Sequence, residues 1–215
     1  DRKLEGAGLR GQVAGQTSLS TVGKEGHGLT YRGYAIEDLA DKAKFEEVAY
    51  LLLYGHLPNK TELEAYQQKL ISNRKLPEEL KKTLELIPAS AHPMDVMRTG
   101  CSVLGNLEPE GDFSNQNDAA DRILAILPSV ICYWYRFSHD GISVDTETSH
   151  ETIGGQFLSL LTGKEPSEDH IRCLDTSLIL YAEHGFNAST FASRTCASTL
   201  SCLLYTSDAA DETVS

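Results

Sequence analysis

The residues best suited to chemistry lie together late in the chain. The segment Tyr181-Ala182-Glu183-His184-Gly185-Phe186-Asn187-Ala188-Ser189-Thr190-Phe191 sets a histidine after the apolar run Ile179, Leu180 and Tyr181, with an asparagine three residues on. The small polar Ala188-Ser189-Thr190 then opens another helical stretch. An imidazole and a carboxamide at the junction of two helices can point into one cleft. The free N–H groups at the start of the second helix add a bias toward anions. The chemistry this suggests is the binding of a carboxylate. Plainer roles fit the same spacing: His184 capping carbonyls at a helix C-terminus, and Asn187 as an ordinary helix N-cap.

Other motifs carry less. In His92-Pro93-Met94 the proline suits a first helical position and His92 falls in the cap region, so a structural role is expected. Arg98 on the same helix could reach a carboxylate, but nothing in the sequence requires it. His139-Asp140 closes a helix with no second ligand cluster nearby, so no metal site is expected. Gly6-Ala7-Gly8-Leu9-Arg10-Gly11 matches GxGxxG, yet no strand precedes it and no βαβ unit follows, which makes it a chance match. Tyr133-Trp134-Tyr135 and Phe137 look like a stacking platform or membrane belt. The acidic balance of the chain points instead to helix packing or a subunit contact.

These residues need elements to position them. Alternating Val, Leu and Thr over residues 13–22 and 29–34, around a glycine-rich turn, predict a short N-terminal β-hairpin. Tyr31-Arg32-Gly33-Tyr34 is expected to pack it against a helical body. From Ile36 the period becomes helical, with Phe45, Val48, Ala49 and Leu52 on one face and Gly55 as the stop. Further helices are predicted at about 61–74, from Pro77, from Pro93 through Val103, at about 118–139, 149–162 and 167–183, and from Asn187. An acidic loop is expected at 105–117.

Composition narrows the class. A net charge of −12 over 215 residues argues against a nucleic-acid surface. The longest apolar run, Ile123 to Tyr135, holds Pro128 and falls short of the roughly 20 residues that span a bilayer. No membrane partner and no secretory signal are read, so a cytoplasmic location is expected. Five scattered cysteines without a CxxC pair read as reduced thiols.

The His184 segment resembles the citrate synthase family. So do Val22-Gly23-Lys24, Leu29-Thr30-Tyr31-Arg32-Gly33-Tyr34, Phe45-Glu46-Glu47-Val48-Ala49, Gly55-His56-Leu57-Pro58, His92-Pro93-Met94-Asp95-Val96-Met97-Arg98-Thr99 and Tyr133-Trp134-Tyr135, in the family's order. The Thr-Val-Gly-Lys, His92 and Tyr133 stretches look most like its 2-methylcitrate synthase branch. The resemblance implies an all-α fold: a citrate synthase-like large domain, truncated, with a short N-terminal β-hairpin. It implies that His184 binds oxaloacetate and that Asn187 adds a neutral donor. At Lys69 the branch has a lysine associated with substrate contact; a solvated helix lysine is the plainer alternative.

The implied reaction joins an acyl-CoA, propionyl in this branch, to oxaloacetate. An aspartate takes the α-proton and two histidines stabilise the enol and polarise the carbonyl. The coenzyme A thioester is a substrate, and no cofactor or metal is needed. A homodimer is implied. The family's catalytic His and Asp lie beyond residue 201, so no catalytic residue is expected here, and residues 1–201 read as the N-terminal part of the large domain. The stretch from Cys202 to Glu212 reads as the translation of a transposase sequencing adapter, which makes 202–215 an expected non-native tail. The chain by itself is expected to be inactive. Two alternatives remain at this stage: citrate synthase acting on acetyl-CoA, and a non-catalytic helical interaction module with an acidic partner surface.

Overall fold

A computed structural model describes residues 15–23 and 28–198. The glycine-rich run at 6–11, residues 24–27 of the predicted turn, Cys202 and the tail at 202–215 lie outside the described residues. Within them the chain is helical apart from one antiparallel sheet, ordered β1 (Ser20–Thr21), β2 (Thr30–Tyr31) and β3 (Tyr34–Ala35). The expected hairpin is present as β1 and β2, with Ser20 opposite Tyr31 and Thr21 opposite Thr30. The third strand is an addition to the sequence reading. It returns through Arg32-Gly33, whose φ values of 45° and 90° match the handedness that two-residue hairpin turns need. Arg32 adopts this unusual backbone while its guanidinium donates to the Leu52 carbonyl at 2.9 Å.

The helices are α1 (Ile36–Lys42), α2 (Phe45–Tyr54), α3 (Lys60–Ser72), α4 (Glu78–Glu85), α5 (Pro93–Leu107), α6 (Gln116–Tyr135), α7 (Ile153–Thr162), α8 (Glu168–Tyr181) and α9 (Ala188–Ser198). Their starts follow side-chain chemistry. Asn59 accepts from the Glu62 N–H at 3.0 Å while Glu62 accepts from the Asn59 N–H at 2.8 Å, a reciprocal cap on α3. His92 Nδ1 accepts from the Met94 N–H at 3.2 Å with Pro93 in the first turn of α5, as the structural reading of that motif expects. Thr152 and Ser167 cap α7 and α8 in the same way.

Some boundaries differ from the periodicity. The predicted helix at about 149–162 starts only at Ile153, and 141–152 runs as an irregular strap after a π-helical turn at Arg136–Asp140. Arg74, 1% exposed, supplies the reason: its Nη1 donates to the carbonyls of Thr148 at 3.2 Å and His150 at 2.5 Å. A buried guanidinium thus takes carbonyls that a longer helix would use for its own ladder. Helix α5 runs four residues past Val103, and the acidic loop is correspondingly shorter.

Helix α6 lies between two apolar cores. Ala125 belongs to one, with Tyr31, Leu39, Phe45, Val48, Leu51 and Leu70. The next residue, Ile126, belongs to the other, with Leu80, Leu84, Val96, Leu104, Val130 and Trp134. Tyr133 and Trp134 are buried in that second core, which is the helix-packing alternative for them, and their polar atoms reach Glu85 Oε1 at 2.7 Å and the Ile87 carbonyl at 3.2 Å, while Tyr135 is exposed. No helix among the described residues is long and apolar enough to cross a membrane.

Candidate functional site

Helix α8 ends at Tyr181, and residues 182–187 link it to α9. His184 stands in this link and is exposed. It does not cap α8. The carbonyls of Ile179 and Leu180 instead accept from the Tyr31 hydroxyl, at 2.9 and 3.4 Å. The imidazole makes no hydrogen bond among the described residues, so its ring nitrogens are available to a ligand.

The link is held by the N-terminal hairpin and by its own Glu183 carboxylate. Tyr31 is 0% exposed, and its hydroxyl also accepts from the Glu183 N–H at 3.2 Å. Ser20, paired with Tyr31 across β1 and β2, donates to Glu183 Oε1 at 3.4 Å. The same carboxylate oxygen accepts from the Gly185 N–H. Gly185 has φ +92°, a left-handed conformation that a side chain would strain. Burial holds the Tyr31 hydroxyl above its ordinary pKa, against the Glu183 N–H bond that lowers it, and keeps it a neutral donor.

Asn187 serves as the N-cap of α9, its Oδ1 accepting from the Thr190 N–H at 2.8 Å. That is the plainer role weighed for it. It does not exclude the other, because the residue is exposed and a carboxamide keeps two donors on its nitrogen. Arg194 of α9 lies over the Phe186 ring, 4.4 Å from its centre, which brings a positive charge close to the link. An exposed imidazole, an exposed carboxamide, a helix N-terminus and a guanidinium together favour an anion.

Lys69 is placed elsewhere. On α3, its Nζ lies 2.6 Å from Asp118 Oδ1 and 2.6 Å from Asp121 Oδ2, both on α6. Asp121 is 0% exposed and also accepts from Tyr54 at 2.5 Å and Tyr66 at 2.9 Å. Burial disfavours the Lys69 charge, but its hydrogen bonds to Asp118 and Asp121 outweigh this and raise its pKa. Burial, with Asp121 as acceptor, pushes the Tyr54 hydroxyl up to about 12. Lys69 borders an open groove of ≈ 670 Å³ that Asn73, Glu108, Asp118 and Arg122 also line. The structure therefore brings His184 and Asn187 onto one link. No hydrogen bond or ion pair among the described residues joins Lys69 to them.

Sequence reasoning missed Glu183 as a site residue, and it gave Tyr31 only a packing role. No local pattern announces that the Tyr31 hydroxyl meets a helix end 148 residues away. Asp121 did leave a signal: it shares a helical face with Leu124, Ala125 and Pro128, where an acid must find donors.

Comparison with known proteins now bears on this arrangement. The family described as "Citrate synthase, C-terminal domain" matches residues 8–211. The chain is 66% identical over 200 residues to the 2-methylcitrate synthase of Shewanella oneidensis, an overlap of 93% of this chain and 53% of that protein. Among solved structures it resembles citrate synthase from Thermotoga maritima, with a TM-score of 0.78 and 32% identity over 92% of this chain and 52% of that one. It also resembles Thermoplasma acidophilum citrate synthase in its ternary complex with carboxymethyl coenzyme A and oxaloacetate, with a TM-score of 0.82 and 25% identity over 91% and 52% of the two chains. The chain spans about half the length of the curated relatives it matches.

Proposed function

The chain belongs to the citrate synthase family, and from that premise we propose that the whole protein condenses propionyl-CoA with oxaloacetate and water, giving 2-methylcitrate and coenzyme A. The observation that carries the choice of acyl group is the 66% identity to a 2-methylcitrate synthase across 93% of the chain. In this reading a base removes the α-proton of the thioester, the enol carbon attacks the ketone of oxaloacetate, and water then releases coenzyme A. His184 and Asn187 hold oxaloacetate, the imidazole donating to a carboxylate or to the ketone oxygen and the Asn187 carboxamide adding a second donor. Their exposure and the Arg194 guanidinium over Phe186 support this role. Lys69 is the third substrate-side residue. Of its two acidic partners, Asp118 is exposed and can yield to a substrate carboxylate, while the buried Asp121 keeps the ammonium in place. The proton-transferring groups come from outside residues 1–201, so this chain alone does not turn over. The working protein is a cytoplasmic homodimer.

Citrate synthase proper is the second reading, supported by the resemblance to solved citrate synthases. Coenzyme A release by the full-length protein, measured with oxaloacetate and either thioester, separates the two. A higher kcat/KM for propionyl-CoA is expected. A preference for acetyl-CoA overturns the propionyl assignment and leaves the family intact.

A further inference from the structure

We infer that Tyr31 is a positioning residue for oxaloacetate binding, acting through a clamp that fixes the backbone on both sides of His184. The inference rests on the role proposed above for His184 and extends it to groups far away in sequence. Ser20 and Tyr31 are register partners in the first hairpin, and both grip Glu183. Tyr31 accepts from the Glu183 N–H at 3.2 Å, while Ser20 donates to the Glu183 carboxylate at 3.4 Å. That carboxylate also takes the N–H of Gly185. The residues before and after His184 are therefore both tied, while the His184 side chain is left exposed.

The same hydroxyl binds the last turn of α8, donating to the Ile179 carbonyl at 2.9 Å. One buried oxygen thus fixes the end of the helix and the start of the link. A six-residue link carrying a left-handed glycine has many conformations to lose on binding a small dianion. Fixing them in advance lowers the cost of holding the ligand. Packing alone does not account for the geometry. A phenylalanine would fill the same space, whereas the hydroxyl both donates and accepts at the link.

The experiment uses the full-length protein carrying Tyr31→Phe, His184→Gln, and both together. Tyr31→Phe is expected to raise KM for oxaloacetate about three- to ten-fold, the scale of one hydrogen bond. KM for the acyl-CoA and kcat are expected to stay within about twofold, because the clamp touches only the oxaloacetate side. If Tyr31 works through His184, the double variant binds oxaloacetate no worse than His184→Gln alone. Glu183→Ala, which leaves Tyr31 in the core, is expected to give the same selective rise and answers the question should Tyr31→Phe fold poorly. Additive losses, or a joint fall in kcat and both affinities, overturn the inference. An unchanged oxaloacetate KM in Tyr31→Phe and Glu183→Ala, beside a raised one in His184→Gln, overturns it and leaves the His184 reading standing. An unchanged KM in His184→Gln overturns that reading and the inference with it.

Discussion

Burial moves the Glu46 carboxyl from its ordinary 4.5 to about 7, against the pull of the Ile153 N–H that its Oε1 accepts at 2.7 Å. The charge of Asp175 pushes in the same direction as burial, and Lys44 opposes it weakly. Arg74 and Tyr66 also feel this carboxyl from α3 and the turn after it. A pKa raised in the folded state means that folding favours the protonated acid. The resulting stability is complete below about pH 4.5 and is lost as the pH rises through about 7. Glu46→Gln imitates the protonated form and can still accept from Ile153. It is expected to match the wild type near pH 4 and to exceed it by up to about 3 kcal/mol near pH 8. Urea midpoints at the two pH values check this, and a difference that does not change with pH contradicts it. The positions of His184 and Asn187 are equally a matter of single groups. Their residue types were legible in the sequence, but which one caps a helix depended on a tyrosine from another element.

At the scale of elements, arginines from distant segments repeatedly close helix ends. The last carbonyls of a helix lack intrahelical donors and carry the negative end of its dipole. Arg172 of α8 donates to the Ala40 and Ala43 carbonyls around the end of α1, at 2.8 and 3.3 Å. Arg136 donates to the Leu161 carbonyl of α7 at 3.2 Å, and Arg32 to Leu52 of α2 at 2.9 Å. Arg122 of α6 does the same just past α3. It reaches the carbonyls of Asn73 and Lys75 while gripping both oxygens of Glu108, at 2.9 and 2.8 Å. A lysine has a point charge and no fork, so it cannot serve both tasks. Arg122→Lys is expected to lower stability by about 1–3 kcal/mol through lost charge-assisted hydrogen bonds, read as a drop in melting temperature. No drop would mean that water replaces the fork without loss.

The whole molecule depends on how closely α6 can be approached. A Cβ at Gly100 of α5 would lie 2.7 Å from Val130 Cγ1 on α6, inside contact distance. The missing side chain lets the two helices close over the second core. Gly100→Ala gains helix propensity but overpacks this contact, with an expected net cost of about 1–3 kcal/mol. Adding Val130→Ala should recover part of that loss, whereas additive losses in the double variant would show that the two positions do not meet. Gly154 of α7 plays the same part against α8, where a Cβ would stand 2.7 Å from the Asp175 carboxylate. The second approach sets how closely α7 meets α8, the helix that leads into the link carrying His184.

The helical class, the N-terminal hairpin, most helix starts and the segment that holds the candidate site are all legible in the order of residues. These follow from short-range causes: periodic apolar faces, side chains that cap their own helix, and glycine or proline at a stop. The strap at 141–152, the third strand and the clamp on Glu183 were decided only in three dimensions. Each depends on a polar group brought in from far along the chain: Arg74 to the strap, Arg32 to the end of α2, and the Tyr31 hydroxyl to the end of α8. A buried donor must find an acceptor, but sequence does not say which one, because the choice depends on which helices pack together.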